Sequence, residues 1–228
     1  MVQKIFKRVE KKYLINKEQY QEILKQIKKY LKKDKYYKTT ICNLYFDDNN
    51  NNLIINSLEK PIYKEKIRLR SYGIPKLNDE VFFEIKKKYS GIVYKRRETL
   101  TLKSAYDYLD NHKYINKQIM KEIDYCFKKY NLKPSLYLAY DRYSYAGVDN
   151  HFRLTFDYNI RSRTTDLRLD SGDYGEYLLD KDEYIMEVKC INAMPLWFCD
   201  ILSKLKIYPI SFSKYGKIYE KQVLEACL

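Results

Sequence analysis

The chain has 228 residues, 45% of them hydrophobic, and its 44 Lys and Arg against 30 Asp and Glu leave a formal charge of +14; it can bury a substantial core and is drawn to polyanions, whether nucleic acid, an anionic membrane or phosphate compounds. Five cysteines (Cys42, Cys126, Cys190, Cys199, Cys227) show no C-x-x-C spacing, which argues against a disulfide framework and a zinc site. The amino terminus MVQKIFKRVEKK lacks a signal-peptide core and no later segment approaches the roughly 18 apolar residues of a membrane helix, so the expectation is a soluble, cytoplasmic protein with reduced thiols and one domain over residues 1–228.

The first predicted strand, 5–15, sets Arg8, Glu10 and Lys12 on one side and Val9 and Tyr13 on the other. A helix follows, opened by a capping box of Asn16 and Gln19 and carried by Tyr20, Ile23, Leu24, Ile27 and Leu31. Its polar face, with Lys17, Lys25, Lys28, Lys29 and Lys32, reads as solvated. A strand is expected at 40–47, and DDNNNN at 47–52 reads as a turn. In the next strand, 63–72, KEKIRLR places Lys64, Lys66, Arg68 and Arg70 on one face and Glu65, Ile67 and Leu69 on the other.

The pattern recurs along the chain. Strand 80–88 puts Glu84, Lys86 and Lys88 opposite Phe83 and Ile85, and Lys95 and Arg97 share a face in strand 92–101. After a helix at 115–130 built on Ile115, Ile119, Ile123 and Phe127, strands are expected at 136–145 and 151–161. In the latter, RLTFDYNIR sets Arg153, Asp157 and Arg161 against Leu154, Phe156, Tyr158 and Ile160. RLDSGDYGEYLLDKDE at 168–183 reads as a mobile acidic connection, and strand 184–190 sets Glu187 and Lys189 against Met186 and Val188. Pro195 fits the first turn of a third helix carrying Trp197, Phe198, Ile201, Leu202 and Leu205.

Eight strands with helices interspersed irregularly predict an antiparallel α+β fold. If the helices cover the apolar strand faces from outside, a closed barrel with its charges inward is self-consistent, and it is a basic tunnel. Cations lining such a bore need negative charge between them, which a polyphosphate or triphosphate supplies. Glu10, Glu84, Asp157 and Glu187 interrupt the cationic faces as hard oxygen ligands suited to Mg²⁺ or Mn²⁺. For Glu84 and Asp157, pairing with a neighbouring Lys or Arg is an equally good reading. With only His112 and His151, and six glycines that form no phosphate-cradling loop, histidine metal clusters and Walker-type nucleotide sites are excluded.

The series R-x-E-x-K-Y at Arg8–Tyr13, NLYFDD at 43–48, KIRLRSYG at 66–73, FFEIKKK at 82–88, VYKRR at 93–97, YDRYSY at 140–145, RLTFD at 153–157, MEVK at 186–189 and FSKY at 212–215 resembles the VTC (vacuolar transporter chaperone) polyphosphate polymerase domain. This is a branch of the triphosphate tunnel metalloenzymes. The resemblance implies an eight-stranded antiparallel barrel whose tunnel takes ATP and polyphosphate with Mn²⁺ or Mg²⁺, moving the ATP γ-phosphoryl group onto a growing chain. It implies that Lys12, Arg68, Arg70, Lys86, Lys95, Arg142, Arg153 and Lys214 grip phosphates, that Ser213 adds a hydroxyl donor and that Glu187 holds the metal. Arg8, Lys66, Arg97 and Lys189 join the candidate substrate contacts, and Glu10 the candidate metal ligands. Arg68, Arg70, Lys86, Arg153 and Glu187 are expected at the reacting phosphates.

The wider superfamily opens with E-x-E-x-K, and Arg8 in place of the first glutamate removes a metal ligand and adds a cation, favouring polymerisation over hydrolysis. Eukaryotic members of this branch sit in larger membrane-attached chains, which leaves room for a separate membrane partner; oligomeric state is not fixed by the sequence. Two rivals stand beside this reading. One is a triphosphatase of the same fold. The other is a non-catalytic polyphosphate- or RNA-binding module, suggested by 26 tyrosines, although carboxylates among the cations would repel a nucleic-acid backbone and no nucleic acid is expected.

Overall fold

Alternating apolar and charged residues form strands at each expected place, and helices cover most of their apolar rows, although Ile92, Val93 and Tyr94 stay exposed. The computed structural model describes residues 8–90, 92–111, 113–147, 151–191 and 193–227, with backbone alone at Arg8 and Ala226. Residues 5–7 of the first predicted strand, and His112, lie outside them. In chain order the elements are β1 (Arg8–Asn16), α1 (Lys17–Ile27), β2 (Lys32–Asp47), α2 (Asn52–Leu58), β3 (Tyr63–Tyr72), β4 (Glu80–Tyr89), β5 (Ile92–Thr101), α3 (Leu102–Asn111), α4 (Gln118–Tyr130), β6 (Lys133–Ala146), β7 (Phe152–Arg163), β8 (Glu176–Tyr177), β9 (Glu183–Ile191), α5 (Leu196–Lys204) and α6 (Lys214–Ala226). The strand order is β1-β9-β7-β6-β2-β3-β4-β5, with β8 on β7. The pairs β1–β9, β2–β3, β3–β4, β4–β5 and β7–β9 are all antiparallel.

Two compact units divide the chain: Met1–Thr39, Tyr140–Ile160 and Leu179–Phe212 form the first, and Thr40–Ala139, Arg161–Leu178 and Ser213–Leu228 the second. In the first, Tyr13, Ile15, Leu154, Phe156, Met186 and Val188 pack beneath Ile23 and Ile27 of α1 and Phe198 and Ile201 of α5. In the second, Cys42, Leu44, Phe46, Ile67, Leu69, Phe83 and Ile85 pack beneath Ala105 of α3 and Met120, Ile123 and Cys126 of α4. Glu65 lies with this second core, as its parity in KEKIRLR requires, and accepts hydrogen bonds from the Tyr63 hydroxyl at 3.0 Å and the Tyr130 hydroxyl at 2.5 Å.

Several expectations are corrected. Strand β2 starts at Lys32 rather than 40, because its lysine-rich first half stands largely in solvent and carries no apolar row until Ile41. Residues 47–52 lead into α2, whose first turn is held by Asp47, the carboxylate accepting from the backbone N–H groups of Leu53 at 2.9 Å and Ile54 at 3.0 Å. Helix α3 follows β5 without a break, and Pro195 stands one residue before α5 as its N-cap. Helix α6 was hidden by Gly216 near its start. A Cβ there would come within 2.9 Å of the Leu58 side chain, so the glycine permits a close approach to α2.

Nor is 168–183 a loose connection. Arg163 lies over the Tyr137 ring, 3.6 Å from its centroid, and 4.3 Å from that of Tyr174. It donates to the backbone carbonyls of Asp166, Arg168, Gly172 and Tyr174 at 2.9–3.1 Å. In β7 the predicted alternation ends at Asn159, which adopts φ +48°; beyond it Arg161 bonds to Asp173.

The capping box of α1 is present: Asn16 Oδ1 accepts from the Gln19 N–H at 2.9 Å and Gln19 Oε1 from the Asn16 N–H at 3.1 Å, while Gln19 Nε2 reaches the Leu205 carbonyl. Asn16→Ala should lower stability by about 1 kcal/mol, read as a reduced urea midpoint with an unchanged denaturant slope.

Candidate functional site

In the second unit, antiparallel register turns the charged alternation of three strands into rows. Arg68 of β3, Glu84 of β4 and Arg97 of β5 lie side by side, with Tyr45 of β2 next to Arg68. The adjacent row is Lys66, Lys86 and Lys95, and on the other flank Asn43 neighbours Arg70. Like charges opposite one another on a sheet repel, and three lysines abreast make that repulsion large.

Glu84, 1% exposed, is what holds this face together. Its Oε2 accepts from Arg68 Nε at 2.8 Å and Nη2 at 2.7 Å, and its Oε1 from Arg97 Nε at 2.9 Å and Lys95 Nζ at 2.7 Å. Arg70 Nε lies 3.9 Å from it and donates to Asn43 Oδ1 at 2.8 Å. Burial favours the protonated carboxyl, but Arg68, Arg70 and Lys95 outweigh it and hold the group well below the usual carboxylate range. Burial, with Arg68 and Arg70 nearby, brings the Lys95 ammonium down to about 8 in spite of Glu84.

Tyr45 is a member of this face that period-two reading of NLYFD could have found, since it shares parity with Asn43. Its hydroxyl accepts from Arg68 Nη1 at 2.9 Å, and its ring packs 4.9 Å from that of Tyr215. Burial disfavours the phenolate, yet Arg68, Arg70 and Lys66 bring the pKa down to about 8. Ser213 caps α6, accepting from the Gly216 N–H at 3.2 Å, and also takes a bond from Lys66 Nζ at 3.2 Å. Lys214 is the first residue of that helix. Lys86 is exposed in the middle of its row. Thus Lys66, Arg68, Arg70, Lys95 and Arg97 are tied into one network, with Lys86 beside them in register and Ser213 joined through Lys66.

The first unit carries a second charged face. Register places Lys12 opposite Glu187 and Glu187 opposite Thr155; one row along, Glu10 is opposite Lys189 and Lys189 opposite Arg153. Lys189 forms an ion pair with Glu187, and Lys12 lies 3.6 Å from Glu10 and donates to the Phe212 carbonyl at 3.1 Å. Arg142 grips the fully buried Asp157 with both arms, at 2.5 and 2.8 Å. Burial alone would lower the Arg142 pKa; Asp157, Tyr140 and Glu187 raise it well above its ordinary value. Arg153 bonds to Asp34 at 2.7 Å and to Ser144 Oγ at 3.2 Å. The Arg8 backbone continues the β1 ladder opposite Ile191, and its side chain lies outside the described residues.

Of the two readings open for Glu84 and Asp157, the structure shows the ion pairs; on the first face Glu187 and Glu10 likewise pair with lysines, Lys189 and Lys12. Thr155 was missed by sequence reasoning, although it sits between Arg153 and Asp157 at the right spacing. Its buried Oγ1 has no hydrogen-bond partner among the described residues, and its neighbour in register is Glu187. No group of three His, Cys, Asp or Glu side chains suited to a metal occurs among the described residues. Two carboxylates and an orphan hydroxyl instead fit a hard cation that arrives with phosphate oxygens and water completing its shell.

A protein-family model described as the VTC domain matches residues 7–222. No curated protein matches the sequence. Among solved structures, a candidate adenylate cyclase from Bacillus halodurans is similar at TM-score 0.55 and 15% identity, over 90% of this chain and 93% of that one. A candidate adenylyl cyclase from Hippeastrum, described as revealing a dominant triphosphatase activity, is similar at TM-score 0.53 and 13% identity, over 94% of this chain and 96% of that one. These likenesses show the fold, an antiparallel α+β fold as expected from the sequence; the expected eight-stranded closed barrel is corrected to a nine-stranded sheet whose order ends at β1 and β5, with no pairing between those two among the described residues. No helix among the described residues is long and apolar enough to cross a membrane.

Removing the charge of the buried Glu84 leaves the buried Arg70 and half-buried Arg68 without their carboxylate, so Glu84→Gln should cost about 3 kcal/mol or more by chemical denaturation at neutral pH. Because the folded pKa of Glu84 is depressed, its contribution is present above the unfolded carboxylate pKa and fades as pH falls; the variant should lose that part of the acid-side decline. Tyr45 should titrate near pH 8 in tyrosinate absorbance, and Tyr45→Phe should abolish that early component while later tyrosine ionisation remains.

Proposed function

Because this chain belongs to the VTC domain family, which its match over residues 7–222 shows, we propose that it is a metal-dependent phosphotransferase that moves the γ-phosphoryl group of ATP onto inorganic polyphosphate. The observation that carries the reading is the cationic row of the second unit. Lys66, Lys86 and Lys95 stand abreast with Arg68, Arg70 and Arg97 beside them, and Glu84, already shared among several of them, is the one carboxylate buried in their midst. Such a face is stabilised by a ligand with several closely spaced negative charges, and a triphosphate or polyphosphate has that spacing along its whole length.

In the transfer, an oxygen of the acceptor's terminal phosphate forms a bond to the γ-phosphorus while the bond from that phosphorus to the β-bridging oxygen breaks; the electron pair leaves on ADP. The acceptor oxygen is already anionic at neutral pH, so no side chain has to remove a proton. The protein's task is to line up two polyanions that repel each other and to neutralise charge on the transferring group. Arg68, Arg70, Lys86 and Arg153 are assigned that task. Lys12, Lys66, Lys95, Arg97, Arg142, Lys189, Ser213 and Lys214 hold the remaining phosphates, with Arg8 completing β1. Glu187, helped by Glu10 and the orphan Thr155 hydroxyl, would hold Mn²⁺ or Mg²⁺. When bound, that ion supplies further charge neutralisation at the phosphate oxygens.

The rival with a specific observation behind it is hydrolysis, since the Hippeastrum relative is described by its triphosphatase activity. Product analysis separates the two. Incubated with ATP and Mn²⁺, the protein should yield anionic chains longer than the substrate on a sizing gel; phosphate release without chain growth would select the triphosphatase. Glu187→Gln should abolish turnover while the protein stays folded. Arg68→Ala or Arg153→Ala should weaken triphosphate binding by roughly tenfold or more, as expected for loss of a charge-assisted contact.

A further inference from the structure

The 34 lysines are not evenly spread. Residues 25–38, KQIKKYLKKDKYYK, hold Lys25, Lys28, Lys29, Lys32, Lys33, Lys35 and Lys38, every one exposed. The stretch runs from the last turn of α1 through the first half of β2, all within the first unit. A few of these lysines complement the carbonyl end of α1, but that end needs one or two cations, not seven.

The local carboxylates do not balance them. Glu22 pairs with Lys25 at 3.1 Å. Asp34, the one acid inside the stretch, is committed to Arg153 at 2.7 Å and takes a bond from Ser144. Lys28, Lys32, Lys35 and Lys38 make no ion pair among the described residues. The Asp34 contact also fixes where the stretch lies. Asp34 points to the charged face that carries Arg153, Lys189 and Glu187, while Tyr37 points the other way, its ring 5.2 Å from Tyr143 and 5.3 Å from Tyr145. Strand alternation therefore sets Lys32 on the same side as Asp34, so the cationic face runs on past Arg153 into exposed lysines.

We infer that residues 28–38 form an accessory track for linear polyphosphate, binding a stretch of chain that extends beyond the phosphates held at the Arg153 face. This inference rests on the phosphate-binding reading of that face and adds a chain-length preference to it. Flexible lysines on a half-exposed strand suit such a ligand: each ammonium follows a moving phosphate as a point charge, whereas the arginines of the inner faces fix geometry. Single-stranded RNA is the less suitable occupant. Of the ring systems in the stretch, Tyr30 is already stacked on Trp197 at 4.0 Å and Tyr37 is packed among tyrosines, which leaves Tyr36 alone to receive a base.

The test compares wild type with a variant carrying Lys28→Gln, Lys32→Gln and Lys38→Gln, each binding tripolyphosphate and a polyphosphate of about 100 units, a length far beyond what one face can cover. Long-chain affinity should fall by tenfold or more, with the slope of log affinity against log salt reduced by roughly 2, since about 0.7 is lost per neutralised contact. Tripolyphosphate affinity should stay within about twofold, as the screened charges are remote from it. Unchanged long-chain affinity in a variant that still binds tripolyphosphate overturns the track and leaves the phosphate face standing. A wild-type protein that binds neither ligand removes the phosphate reading and the track with it. Tighter binding of poly(U) than of polyphosphate, lost in the same variant, would make the stretch an RNA surface and overturn the inference.

Discussion

Repulsion among cations that share a sheet face is the constraint around which this protein is built. Strands β3, β4 and β5 set Lys66, Lys86 and Lys95 abreast and bring Arg68 and Arg97 to either side of one carboxylate, Glu84. Left alone, that arrangement would drive the strands apart. Two features oppose it. The other side of the same strands is a closely packed apolar layer under α3 and α4, which supplies the burial energy. Glu84 then takes arginine and lysine donors from three directions and holds the guanidinium groups in a fixed pose. The cost of assembling the charges is thereby met in the folded chain, and the incoming polyanion meets donors already oriented.

The two charged faces solve the problem differently. In the second unit one carboxylate serves many cations. In the first, the acids are dispersed: Asp157 is wholly taken by Arg142, Asp34 by Arg153, and Glu10 and Glu187 stand in alternating register with Lys12 and Lys189. The first face is therefore closer to neutral and richer in oxygen ligands, which suits a cation bridged to phosphate, while the second is an almost purely cationic surface. The same cations draw the Tyr45 phenol down, against the burial that alone would move it the other way.

Much of this was legible before any coordinates. Period-two alternation identified the strands of KEKIRLR, FFEIKKK and MEVK and the faces their charges occupy, because one apolar side had to pack. What escaped was set by partners distant in sequence. Strand β2 starts eight residues before the expected position 40, in a segment where Asp34 is drawn to Arg153. The turn at 47–52 runs straight into helix α2, which lacks a sequence signal because its first N–H groups are held by Asp47 from the end of the preceding strand. Tyr45 and Thr155 carry no charge, so a search for charged faces passed over them even though each has the right parity. Which carboxylates are structural partners also could not be read from the chain alone; Glu84 and Glu187 look alike in sequence and differ in how many arginines surround them.

Arg163 governs its loop through backbone carbonyls. Four residues between 166 and 174 give it their main-chain oxygens, and the two rings that sandwich it come from Tyr137 and Tyr174. At Gly175 any Cβ would collide with the Ser162 backbone. The shape of this excursion is thus set by one guanidinium, two rings and a glycine, and it is pinned further by Leu169, fully buried in the second core, and by Asp173, which takes Arg161. Foreign sequence grafted here would have to preserve both that buried leucine and the path of the main chain around one guanidinium.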